Sequence, residues 1–215
     1  MTKVLYITAN PKPVEASFGL QVGEHFAETL QRENPDVEIE RVNLYKEHIP
    51  LIDTVVFSAW EKAGKDLPLN ENEQTAINRM EEILEQFISA DAYVFVTPMW
   101  NLSFPPMLKA YIDNVVIARK TFHYTAQGPE GLMKNKKVLH IQSRGGVYSE
   151  GPAADMEFTN KYLQSVMAFI GITDYDHLVV EGMNAFPEKS SSLLEEAKKK
   201  AEKAAKSFLA NALTV

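Results

Sequence analysis

The chain has 215 residues, 45% of them hydrophobic, a formal net charge of −7 and no cysteine. That length fits one domain with a sizeable core, and the missing cysteines exclude disulfides, thiolate zinc sites and cysteine-ligated iron–sulfur clusters. The acidic balance argues against a nucleic-acid or anionic-membrane surface, and His25, His48, His123, His140 and His177 show no ligand spacing, so no metal is expected.

Lys3 is followed by a short apolar run, too brief for a signal peptide or a membrane span, and a soluble cytoplasmic protein is expected. Residues 4–7 (VLYI) read as a buried strand running into a proline-punctuated loop at 8–13. Ser17 then starts a helix with Phe18, Val22, Phe26 and Leu30 on its apolar face, and Asn34-Pro35-Asp36 ends it. Val37, Ile39 and Val42 alternate as a second strand. A loop feeding a helix N-terminus makes an anion site, because the first amides point outward. Ser17 is a candidate N-cap and phosphate ligand, or an N-cap alone. The absence of G-x-G-x-x-G and of a Walker-type lysine motif argues against a dedicated dinucleotide domain.

From residue 45 to about 70 the chain is least regular, and Val55, Val56, Phe57 and Trp60 make it too apolar for disorder. It reads as an embellishment on the sheet. Asn70 and Glu73 form a capping box, and the helix after it carries Ile77, Met80, Leu84, Phe87 and Ile88. Residues 92–96 (AYVFV) are an unbroken apolar run, as in a strand buried on both faces. The pattern stops at Thr97-Pro98, and Met99, Trp100, Asn101, Leu102, Ser103 and Phe104 follow in a segment that does not read as strand. Pro105-Pro106 then opens a helix continued by Met107, Leu108, Tyr111 and Ile112. Open α/β sheets place their ligands in such loops.

Residues 119–131 read as a loop whose Phe122, His123 and Tyr124 either plug a local cluster or touch substrate. Residues 138–141 form a fourth strand, stopping at Gln142-Ser143-Arg144-Gly145-Gly146. Paired glycines permit positive φ and close approach of a ligand, although a plain turn reads the same. A helix at 162–170 precedes a fifth strand at 178–180, and Ser192 with Glu195 is read as the capping box of the last helix. The alternation predicts a doubly wound five-stranded parallel sheet, order 2-1-3-4-5, with helices on both faces and residues 1–215 as one unit. Three ordinary-looking loops then converge on one crevice.

Several chemistries fail there. A phospho-accepting receiver needs acidic residues where Asn10 and Thr97 stand, and Ser143 lacks a G-x-S-x-G elbow. What remains is an apolar slot with an anion site at one end and backbone donors at its sides. It suits a flat, phosphorylated ligand such as flavin mononucleotide (FMN).

The motifs PMWNLSFPPMLKAYID (98–113), KTFHYT (120–125), GPEGL (128–132), SRGG (143–146), EGP (150–152) and FIGI (169–172) resemble the FMN-dependent NADH-azoreductase family, also called NADH:quinone oxidoreductases. The resemblance covers nearly the whole chain. It implies a flavodoxin-like fold, a homodimer, and non-covalent FMN reduced by NADH and reoxidised by quinones or azo compounds in a ping-pong cycle. Ser17, Phe18 and Gly19 would hold the phosphate end, while Met99, Trp100, Asn101 and Leu102 would flank the isoalloxazine together with Ser143, Arg144, Gly145 and Gly146. Tyr124 and Phe169 match positions around the substrate. No catalytic acid or base is implied, since the chemistry resides on the flavin. The chain departs from the family in carrying Trp100 and Leu102 where Tyr and Phe are common, and Asn10 where serine is frequent. A flavodoxin-type carrier would share the flavin but not turn over NADH, and an adaptor that kept the fold would bind no flavin.

Overall fold

The computed structural model describes residues 1–209. Its regular elements, in chain order, are β1 (Lys3–Thr8), α1 (Phe18–Glu33), β2 (Glu38–Asn43), α2 (Thr54–Ala63), α3 (Glu71–Ser89), β3 (Ala92–Pro98) and α4 (Pro106–Val115). They continue with β4 (Phe122–Thr125), β5 (Gly128–Gly131), β6 (Lys137–Ser143), α5 (Thr159–Phe169), β7 (Asp174–Val180) and α6 (Ser190–Phe208). Five strands form one sheet in the order β2-β1-β3-β6-β7, every neighbouring pair parallel. Counting only sheet strands, that is the expected order 2-1-3-4-5.

The strand period of two sorts the core into two layers. Leu5, Ile7, Tyr93 and Phe95 face α3, α4 and α5 through Ile83, Phe87, Leu108, Tyr111, Leu163 and Met167. Val4, Tyr6, Val94 and Val96 face α1 and α6 through Val22, Phe26, Leu30, Ala201 and Phe208. Each fully buried large side chain contributes roughly 1.5–3 kcal/mol. Helix α1 lies unusually close to the sheet. A Cβ at Gly23 would stand 2.4 Å from the Tyr6 hydroxyl and 2.9 Å from Val96 Cγ2, and one at Gly19 would stand 2.7 Å from Ser143 Oγ.

Four readings of the sequence are corrected. Residues 54–63 are a ten-residue helix rather than irregular, capped by Asp53, whose Oδ1 accepts from the Val55 and Val56 amides. Residues 122–131 form an antiparallel hairpin, not a loop. Strand β3 continues through Pro98, which pairs with Ser143, because at a strand end the missing N–H leaves no ladder bond unmade. The Ser192–Glu195 box does not form: α6 starts at Ser190, and Ser192 Oγ donates back to the Lys189 carbonyl. The Asn70–Glu73 box does form, and Glu73 also binds Lys62 and Ser58 of α2, pinning α2 to α3. The Lys62 ammonium, the Asn70 amide and the Ser58 hydroxyl hold the Glu73 carboxyl down at about 2.

Candidate functional site

The carboxyl ends of the central strands are tied edge to edge, so the loops leaving them start side by side. The Ala9 amide donates to Val96 O (3.0 Å), Met99 N to Ser143 O (2.8 Å) and Arg144 N to Val180 O (2.8 Å). Between these loops lie two adjoining hollows of about 250 and 530 Å³. The first is walled by Asn10, Lys12, Ser17, Phe18, Trp100 and Ser143 among others, the second by Asn101, Leu102, Gly146 and Tyr148. Met99, Gly145 and Asn184 line both, making one crevice of small-molecule size.

At its first end, Ser17 is buried as the N-cap of α1. Its Oγ accepts from the Leu20 amide at 3.3 Å and from Asn10 Nδ2 at 3.0 Å. Phe18 and Gly19 open the helix, so their N–H groups have no intrahelical acceptor. Asn10 is therefore a support for Ser17, with its Oδ1 accepting from the Lys12 amide. Gly19 has no room for a side chain against Ser143, which brings the α1 terminus onto the β6 end.

The middle of the crevice is built by two turns. Trp100 and Ser103 exchange backbone bonds of 2.6 and 2.9 Å around Asn101 and Leu102, both at positive φ (49° and 66°). That is the pattern of a type I′ turn; asparagine tolerates it, whereas leucine does so under strain. Opposite, Gly145 O accepts from Asn184 N and Ala185 N, and Gly146 O accepts from Gly182 N. Gly145 and Gly146 are not at positive φ, contrary to the reason read from the sequence. Gly145 is needed for space, since a Cβ there would stand 2.7 Å from Asn184 Nδ2. Among the described residues, the N–H groups of Asn101, Leu102, Gly145 and Gly146 have no acceptor. Four residues with acceptor-free N–H groups thus line the second hollow.

Arg144 also lines the first hollow, while its guanidinium is engaged by Gln142, Glu157 and Glu181. Tyr124 and Phe169 line neither hollow. They flank Phe122, with ring centroids 5.5 and 4.6 Å away, and both are exposed. Behind the crevice, Thr97 Oγ1 hydrogen-bonds His140 Nε2 at 2.9 Å. Burial and the stacked His177 push His140 well below the ordinary histidine range, so it is neutral and structural at physiological pH. Sequence reasoning missed Met183, Asn184 and Ala185; their one signal was position, at the carboxyl end of the last strand.

A sequence model of the flavodoxin-like fold matches residues 2–205. An FMN-dependent NADH:quinone oxidoreductase of Staphylococcus aureus is 50% identical over 208 residues, covering 97% of this chain and all of the relative. The chain belongs to the FMN-dependent NADH:quinone oxidoreductase and azoreductase family. Solved members of the family superpose closely. An FMN-dependent NADH-azoreductase of Bacillus anthracis, in complex with FMN, is 40% identical, with TM-score 0.93 over 97% of this chain and 99% of that one. A second B. anthracis azoreductase structure gives TM-score 0.91 at 40% identity, over 97% and 100%. Family membership makes the chain an oxidoreductase enzyme.

Proposed function

We propose that the chain is a cytoplasmic, homodimeric FMN-dependent NADH oxidoreductase that passes two electrons to quinones and reductively cleaves aromatic azo compounds, by a ping-pong mechanism. One observation carries the reading: a helix terminus with a buried serine at one end of a crevice, and four acceptor-free backbone N–H groups at the other. This donor set fits FMN, a phosphate at one end and a ring system edged with carbonyl and imine acceptors at the other. FMN, when bound, supplies the hydride and electron transfer.

The residues supply position and polarity. Ser17, Phe18 and Gly19 hold the phosphate, with the helix dipole adding to the amide bonds. Met99, Trp100 and Leu102 give the ring apolar contact, while the amides of Asn101, Leu102, Gly145 and Gly146 stabilise negative charge on its polar edge. Ser143 closes the wall beside Gly19. No side chain among these is required to move a proton.

Homodimerisation is supported by exposed apolar side chains, among them Leu51, Phe57, Trp60, Trp100, Tyr124, Phe158 and Tyr162. Of these, Phe57 packs on Trp60, and Trp100, Phe158 and Tyr162 line one hollow; soluble monomers rarely expose large apolar patches, and a two-fold copy is the commonest way to cover them. Phe104, Phe122 and Val56 do not add to this, because their own chain buries them. Tyr124 and Phe169, remote from their own crevice, wall the substrate slot of the second copy in this reading.

Initial rates at several fixed acceptor concentrations test the mechanism. Parallel double-reciprocal lines are expected, because one slot serves donor and acceptor in turn. Intersecting lines would reject ping-pong turnover.

A further inference from the structure

Arg144 stands in a turn that faces the crevice, yet only 3% of it is exposed. Its Nε donates to Gln142 Oε1 at 2.8 Å, while Nη2 and Nη1 lie 3.4 Å from Glu157 Oε1 and 3.4 Å from Glu181 Oε2. Its backbone N–H is taken by Val180 O. Each of its three guanidinium nitrogens thus has a protein partner as well.

We propose that Arg144 is a positioning residue, its guanidinium locking the loops after β6 and β7 into one rigid wall rather than binding the flavin. The inference rests on the flavin-binding reading of the crevice. Each guanidinium partner belongs to a different piece of chain: Gln142 to β6, Glu157 to the approach to α5, Glu181 to the exit of β7. Glu181 Oε2 also accepts from Tyr148 N (2.9 Å) and Ser149 N (3.2 Å), pinning the far side of the glycine turn to the same carboxylate. Glu157 Oε1 accepts from the Thr159 and Asn160 amides, and Gln142 Nε2 donates to the Thr159 hydroxyl, which closes the network on α5. The turn that carries the Gly145 and Gly146 amides is thereby held from behind. A buried charge is tolerated only with a full set of partners, so removing one is costly. Lysine cannot replace the fork, since its three donors sit on one atom.

Holoenzyme variants Arg144→Lys, Glu181→Ala and Glu181→Gln test this; Glu181 is only partly buried, and glutamine keeps an oxygen for the Tyr148 and Ser149 amides. Amide hydrogen exchange and flavin fluorescence regained on dilution are the readouts. Arg144→Lys and Glu181→Ala should speed exchange across 145–149 about tenfold, with β1 unchanged, and weaken FMN about tenfold, equivalent to about 1.4 kcal/mol. Glu181→Gln should stay within about threefold of wild type, and the double variant should bind no worse than the weaker single one, because both break one network. Weakened FMN in Arg144→Lys, with exchange at 145–149 and Glu181→Ala affinity both unchanged, would overturn the clamp in favour of direct contact. Exchange accelerated equally in β1 would overturn it in favour of general destabilisation. A wild type that binds no FMN would sink the flavin reading alone, because the exchange comparison still decides the clamp.

Discussion

Ser17 does two jobs in this account, and Ser17→Asp separates them. Both lone pairs of its hydroxyl are used, by the Leu20 amide and by Asn10 Nδ2, so its proton is left to donate to the phosphate. Ser17→Ala removes cap and donor together. Loss of the cap should cost about 0.5–2 kcal/mol of stability. Loss of a hydrogen bond to a charged group should cost about 1.5–3 kcal/mol of FMN affinity, roughly ten- to 150-fold in Kd. Aspartate caps as well as serine and suits the positive helix end, so Ser17→Asp should melt at or above the wild-type temperature without flavin. Its carboxylate, however, would stand about 4 Å from the phosphate, costing about 4 kcal/mol per unit charge at an effective dielectric near 20, a loss of about a thousandfold. Fluorescence titration of flavin-free protein and thermal melts measure the two effects separately. If Ser17→Asp bound FMN like wild type, the phosphate would not lie at the α1 terminus, and the crevice would have to be read the other way round.

Gly23→Ala should destabilise by about 1–3 kcal/mol, because the added methyl overpacks Tyr6 and Val96, although alanine is the better helix former. A urea midpoint shifted upward would show that α1 does not sit so close to the sheet. Glu73 is held down at about 2, below its unfolded value, so the stability it adds is present above about pH 4.5 and is lost as pH falls towards 2. Glu73→Gln should therefore lower the melting temperature at pH 7 and much less at pH 3; an equal loss at both would reject the ionic role. Light scattering should find two chains per particle, with activity per flavin falling on dilution, whereas a fully active monomer would remove the shared site.

The sheet was legible because parallel strands buried on both faces are apolar throughout, as in residues 92–96, and because each is followed by an amphipathic helix. The crevice followed from strand order alone, which is why its three loops could be named without a strong local motif. Helix α2 escaped although Val56, Ala59, Trp60 and Ala63 keep helical spacing, because Val55 and Phe57 add apolar residues off that stripe and Pro50, Gly64 and Pro68 break up the segment around it. The hairpin escaped because four-residue strands, one of them GPEG, are too short to show a period of two. The partners of the Arg144 guanidinium were not legible either. The residues that draw its side chain inward, Glu157 and Glu181, are brought to it only by the packing of α5 and β7. The glycines of the same turn were singled out for a reason the structure does not bear out, since a neighbour's bulk at Asn184, not backbone sign, demands Gly145.

The central claim is that this crevice holds FMN and turns it over with NADH. Spectra of the purified protein under anaerobic conditions test it most directly. A yellow protein should bleach fully on adding one equivalent of NADH and regain its colour on adding a quinone. A protein that stays colourless after soaking in FMN, or a bound flavin that NADH leaves oxidised, would contradict it.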